Sequence, residues 1–212
     1  MADSILKVVQ GWVRLLGNTD STFIGNKSDR LKVDLEDMQK ETYIVGSTEI
    51  AIGNNKSMLS LLNASGSTVV VKLRKLYLLN SQTSAVTGII SDFQLFRFTG
   101  HSGGTSLTPL TFDSNDSLNS SVTARTGGTI SGEAAAALKR WEISSDEWGT
   151  GTLDQEGADH GSGLYGQPLY EHTSPFEKPI TLRANEGIHL KHVVSSTAGA
   201  FDIYMIFTEE AA

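Results

Sequence analysis

The sequence predicts an all-β chain folded as a single antiparallel β-sandwich. Three observations predict it. Ser and Thr number 44 of 212 residues, Gly adds 21, Pro is scarce at 4, and charged residues make up 19%. Small hydroxylated residues among scattered Val, Ile, Phe and Tyr suit many short strands joined by turns, whereas disordered chains are richer in proline and charge. From Tyr43 onward, apolar and polar residues alternate over runs bounded by turn residues, the period of a half-buried strand. Strand-like runs never alternate with helical ones, which argues against a parallel α/β sheet.

Ile5, Val8, Val9, Trp12 and Leu16 fall at helical spacing, but Gly11 and the β-branched valines weaken a helix. Gly17-Asn18-Thr19-Asp20 is a turn signal, and Leu31, Val33 and Leu35 alternate with Lys32, Asp34 and Glu36. Trp12–Asp37 therefore reads as an extended or hairpin-like arm with too few apolar residues for its own core. Strands are expected at Tyr43–Ile52 and Ser57–Ala64, parted by Gly53-Asn54-Asn55. Thr68–Leu79 is a long strand whose apolar face switches: Val69, Val71 and Leu73 share one phase, Leu76 and Leu78 the other. Val86–Phe98 behaves alike, with Phe93 and Leu95 followed by Phe96 and Phe98. A switch of phase implies a bulge or a strand that crosses from one sheet to another, and two such strands suit a sandwich with bent strands. Gly100–Gly128 reads as loop with one strand at Val122–Arg125, Glu133–Leu138 as a helical turn of alanines, and Lys139–Ile143 as a short strand. Ile180–Ala184 and Ile188–Val194 flank the turn Asn185-Glu186-Gly187, and Phe201–Phe207 is the last strand.

Two domains of unequal weight follow: an arm over residues 1–40 and a sandwich over 41–212. Net charge is −7, which argues against a nucleic-acid-binding surface. The longest apolar runs are a few residues, too short for a membrane-spanning helix. The first ten residues do not read as a signal peptide. With 0 cysteines there is no disulfide, thiolate metal site or cysteine nucleophile. Between Trp141 and Glu177 there is no Lys or Arg, while Glu142, Asp146, Glu147, Asp154, Glu156, Asp159, Glu171 and Glu177 are acidic. With its glycines, 141–177 reads as a long acidic loop region.

No motif carries chemistry through. Gly100-His101-Ser102-Gly103-Gly104 matches a nucleophile elbow, but Thr105-Ser106-Leu107-Thr108-Pro109 is no helix to follow it. No histidine precedes His101 to serve the chymotrypsin order, so the expectation is a glycine-rich hairpin loop and no enzyme. Asp113-Ser114-Asn115-Asp116-Ser117 begins like a calcium loop, yet Leu118 and Ala124 stand where Gly and Glu are needed. It reads instead as a turn capped by Asx side chains. A looser calcium site near Asp154, Glu156 and Asp159 stays open. His189 and His192, three apart on a strand, point to opposite faces and cannot share an ion. His192 falls with Ile188, Leu190 and Val194 in the core, and His189 beside Lys191 in solvent. No catalytic, cofactor or metal residue is assigned, and no cofactor is expected.

Three segments carry a resemblance. Trp12-Val13-Arg14-Leu15-Leu16-Gly17, Phe23-Ile24-Gly25-Asn26 and Asp29-Arg30-Leu31-Lys32-Val33-Asp34 resemble a stretch near the start of tailed-bacteriophage virion proteins. Thr108-Pro109-Leu110 with Asp113, and Val122-Thr123-Ala124-Arg125-Thr126-Gly127-Gly128, are similar to the middle of phage capsid-associated β-sandwich proteins. Leu182-Arg183-Ala184-Asn185-Glu186-Gly187-Ile188 and Asp202-Ile203-Tyr204-Met205-Ile206-Phe207 resemble their last hairpin. The resemblance implies a sandwich of jelly-roll type and a capsid decoration or cement protein on the virion surface, bridging coat subunits. Its partners would be the major capsid protein or other virion proteins. The two-faced apolar patterns in Val69–Leu79 and Phe93–Phe98 exceed what one sandwich interior needs and point to self-association, most simply as a homotrimer. The arm has apolar residues without a core, and its basic residues Lys7, Arg14, Lys27, Arg30 and Lys32 contrast with the acidic 141–177 stretch, so Trp12, Arg14, Phe23, Ile24, Arg30 and Lys32 are the expected partner-binding residues. The alternative is a tail, baseplate or fibre component that binds a glycan or receptor, with Trp148, Tyr165 and Tyr170 available for stacking on sugars.

Overall fold

The computed structural model describes residues 40–81, 86–148, 168–174, 176–194 and 199–212. The arm residues through 39 lie outside them, as do 149–167. From Glu41 on, the chain forms one compact unit. Its strands are β1 (Thr42–Ala51), β2 (Lys56–Asn63), β3 (Val69–Asn80), β4 (Val86–Phe98), β5 (Gly100–Ser102), β6 (Thr105–Leu107) and β7 (Leu110–Thr111). There follow β8 (Val122–Thr126), β9 (Thr129–Ser131), β10 (Lys139–Trp148), β11 (Pro168–Glu171), β12 (Ile180–Leu182), β13 (Glu186–His192) and β14 (Ala200–Ala211). No helix occurs among the described residues.

Two six-stranded antiparallel sheets make a β-sandwich. The first runs β11-β3-β14-β1-β7, with β12 also paired to β3; the second runs β10-β4-β13-β2-β8-β6. A ribbon of β5 and β9 stands apart. Alternation fills the space between the sheets. Tyr43, Val45, Val71, Leu73, Leu76, Leu78, Phe201, Ile203, Met205 and Phe207 come from the first sheet. Met58, Leu59, Leu61, Phe93, Leu95, Ile188 and Leu190 come from the second. Phe93 meets Phe201 edge-on at 5.1 Å between ring centroids, across the two layers, a favoured aromatic geometry.

The phase switch in β3 is a bulge. Ile206 faces Lys75 and Phe207 faces Leu73, so Arg74 is an extra residue on β3. The bulge turns the strand by one residue, and Leu73, Leu76 and Leu78 all reach the same core, each fully buried. The switch in β4 has a different cause. Its ladder with β13 is regular from Phe93 to Phe98, so Phe93 and Leu95 enter the shared core while Phe96 and Phe98 lie on the sheet's other face, also buried.

Several expectations are corrected. Glu133–Leu138 is not a helical turn. It is bent chain alongside β4, with Ala134 N–H donating to Arg97 O and Leu138 N–H to Leu95 O. β10 extends to Trp148, and β11 also falls within the 141–177 stretch, so strand enters that stretch from both ends. Gly100–Gly128 holds four short strands (β5 to β8), not one. The segment around Asn185 is not a hairpin: β12 pairs with β3 in one sheet and β13 with β2 and β4 in the other. Its turn is a corner between layers, with Asn185 at φ 66° and Arg183 N–H donating to the Glu186 carboxylate at 2.8 Å.

Candidate functional site

The outer face of the second sheet concentrates the buried polar chemistry. β5 follows β4 after a single residue, and alternation along it sends His101 toward the sheet and leaves Ser102 exposed. His101 Nδ1 lies 2.8 Å from Ser60 Oγ, and Nε2 lies 2.9 Å from Thr123 Oγ1. Ser60 donates its hydroxyl to Arg125 O at 3.2 Å. Ser60 Oγ therefore accepts from Nδ1–H, and Nε2 accepts from Thr123, which fixes a neutral imidazole in one tautomer. Burial pushes this imidazole down to about 4, and Arg125 adds to the fall.

His189 lies on the same face, 1% exposed. The solvated placement expected for it is overturned. Phe96 stacks on its ring at 5.9 Å and Phe98 meets it edge-on at 5.5 Å. Glu133, from the bent segment before β10, places Oε2 3.0 Å from Nε2. That approach is not aligned as a hydrogen bond, and both ring nitrogens lack a hydrogen-bond partner. Glu133 also accepts from Lys191 Nζ at 2.8 and 3.1 Å. Burial pushes His189 down to about 4; Lys191 adds to this and Glu133 opposes it. His192 falls in the core as expected, fully buried, with Nδ1 2.8 Å from Gly53 O.

Chemically, this array closes on itself. Ser60, the hydroxyl on the imidazole, is fully buried, while Ser102, the elbow serine, points away from His101. The contacts fasten the 100–138 excursion to the sheet beneath it. Gly103 and Gly104 turn the chain at φ 63° and 62°, as the glycine-rich loop reading implied. Their flanks do not pair with each other, since β5 joins β9 and β6 joins β8.

The arm residues Trp12, Arg14, Phe23, Ile24, Arg30 and Lys32 lie outside the described residues. So do Asp154, Glu156, Asp159 and Tyr165, and the Trp148 side chain. Tyr170 is buried, and its hydroxyl accepts from Ile180 N–H at 3.1 Å; it is a loop anchor rather than an open stacking platform. The Asp113 turn is Asx-capped as read, with Asn115 N–H donating to Asp113 Oδ1 at 2.9 Å. Among the described residues no group of three or more His, Asp or Glu is placed to hold a metal ion.

Sequence reasoning missed one surface. Leu110 is 66% and Phe112 61% exposed at the β7 edge of the first sheet. Leu110 faces Ile44, which faces Ile206 in turn, and Phe112 N–H donates to Thr42 O. The alternation Leu110-Thr111-Phe112 after Pro109 was the available signal. No family model, no curated protein and no solved structure matches the chain.

Proposed function

We propose that the chain is a structural virion protein, a decoration or cement protein of a tailed-phage head that stiffens the shell by bridging coat subunits. The observation that carries this reading is the strand order. β1 to β4 alternate between the sheets, β10 then stays beside β4 in the second, and β14 lies between β1 and β3 while β13 lies between β2 and β4. β11 and β12 flank β3, and β10 flanks β4. This interleaving supports reading the sandwich as a jelly roll with its double Greek key, an architecture of capsid domains. The exposed Leu110 and Phe112 add a surface suited to a protein partner.

The trimer is part of the proposal on the strength of the capsid reading alone. The two-faced apolar patterns in β3 and β4, which pointed to self-association, are accounted for inside one chain by the bulge and by the cover over Phe96 and Phe98.

The test is co-sedimentation of the full chain with capsids lacking it, followed by locating the bound density. Saturable binding at sites between coat subunits is the expected result. Absence of binding to capsids, with saturable binding to a glycan array, would transfer the protein to the tail or fibre class.

A further inference from the structure

Glu209 is a carboxyl group in an unusual position. It lies near the end of β14, 5% exposed. Its Oε2 accepts from Asn119 N–H at 3.1 Å, and its Oε1 is buried with no hydrogen-bond partner. Buried oxygens without partners are costly, and more so when charged. Burial raises the carboxyl's proton affinity, the Asn119 N–H bond lowers it, and Glu41, whose backbone O accepts from Glu209 N–H, raises it. Tyr43 donates its hydroxyl to Glu41 Oε2 at 2.9 Å, and Asp116 adds to the negative field on that tyrosine. Lys40 adjoins Glu41 in sequence. From β3, Lys72 and Arg74 pair with the neighbouring Glu210, and Val71 is the residue opposite Glu209.

Asn119 is the hub of the loop that Glu209 holds. Its Oδ1 accepts from Ser121 N–H and its backbone O from Val122 N–H, each at 2.9 Å, and its Nδ2 reaches Thr68 Oγ1 at 3.4 Å. One carboxyl thus joins the last strand, the residues entering β1 and the loop entering β8. We propose that Glu209 is a protonation-controlled latch: neutral, it fastens the 113–121 loop to the end of β14, and ionised, it releases that loop. A neutral carboxyl keeps its C=O acceptor for Asn119 and leaves no charge beside Glu41. The ionised group strengthens the Asn119 bond at Oε2, but it is repelled by Glu41 and buries an unpartnered Oε1; where these costs exceed that gain, the free-energy minimum moves toward an opened loop that lets water in. Because the closed form holds the proton more tightly than the open form, closure is favoured at low pH and weakens as pH rises past the ordinary carboxylate range.

Hydrogen exchange on the full chain tests this. Protection factors of the Asn119, Ser121 and Val122 amides, corrected for intrinsic rates, should fall about tenfold between pH 5 and 8. In Glu209→Gln they should stay within about twofold over that range. The Leu190 amide, in the sheet centre, should not change in either protein. Should Glu209→Gln not fold, Glu41→Gln carries the test, since removing the repelling charge should shrink the fall. A wild-type profile flat with pH, an equal fall in Glu209→Gln, or an undiminished fall in Glu41→Gln would overturn the latch.

Discussion

Gly46 and Gly187 mark the places where one methyl group meets filled space. A Cβ on Gly46 would stand 2.2 Å from Tyr204 Cδ1 and 2.6 Å from Ile203 O, and one on Gly187 would stand 2.5 Å from Phe98 Cζ and 2.9 Å from Leu61 O. In each case one neighbour is backbone and cannot step aside. Gly46→Ala and Gly187→Ala should each cost about 1–3 kcal/mol in chemical denaturation, the usual range for overpacking. The buried histidines act through protons instead of volume. His101 and His189 are both held near 4 in the folded state, below the ordinary imidazole value of about 6.5. The unfolded chain therefore binds protons that the folded chain refuses. Their contribution is fully present above pH 6.5 and is lost as pH falls toward 4. Between pH 7 and 4.5 the loss should be on the order of 5 kcal/mol for the pair, and shallower in a His101→Gln/His189→Phe double variant. An equally steep decline in that variant would mean the two rings are not its source. The face of His189 was readable from alternation, but its burial was not. Alternation assigns a side of the sheet, and only the return of Glu133 across that side shows that the side is covered.

At the scale of the element, β3 shows what alternation can carry. The break between Leu73 and Leu76 marked either a bulge or a crossing between sheets from sequence alone, and the register against β14 shows it to be a bulge. The bulge is a matter of residue count, not of the Arg74 side chain. Deleting Arg74 should leave Leu73-Lys75-Leu76 in plain alternation, with Val71, Leu73, Leu76 and Leu78 all still on the core face and the pairing with β14 unchanged. The deletion variant should therefore keep a cooperative melt. Arg74→Ala, which keeps the count, should change stability by less than about 1 kcal/mol. Loss of the cooperative melt in the deletion variant would show that the strand needs the bulge itself and not only the phase it sets. The same kind of reading failed at Asn185. Two short alternating runs joined by a turn look alike in a hairpin and at a corner between sheets, since partners such as Leu73 of β3 and Leu61 of β2 are far away in sequence. Short elements fared worst. β5, β6, β7 and β9 are two or three residues each, too brief for any period to be counted.

For the molecule as a whole, the charge pattern suggested an interface in the arm, and the structure adds a second place for one. The two faces of the sandwich are unequal. On the second sheet, Phe96, Phe98 and His189 are buried under the chain's own excursion. On the first, the row Leu110–Ile44–Ile206 crosses the sheet toward the salt bridge Lys75–Glu171, ending at the exposed Leu110 and Phe112. If the capsid reading holds, this exposed apolar pair is where a coat subunit would gain most, since a few well-buried apolar contacts dominate interface energies. Leu110→Ser/Phe112→Ser should then weaken capsid binding at least about tenfold while leaving the melting midpoint nearly unchanged, because both side chains are already in water. Deleting residues 1–40 separates the other contribution. If the arm supplies the steering, the truncated chain should still melt cooperatively, bind capsids more weakly, and lose much of the salt dependence of binding that exposed Arg and Lys confer. Full-strength capsid binding by the Leu110/Phe112 variant, with loss only in the arm deletion, would place the interface in the arm alone. Full-strength binding by both would remove the two surfaces from the capsid interface together.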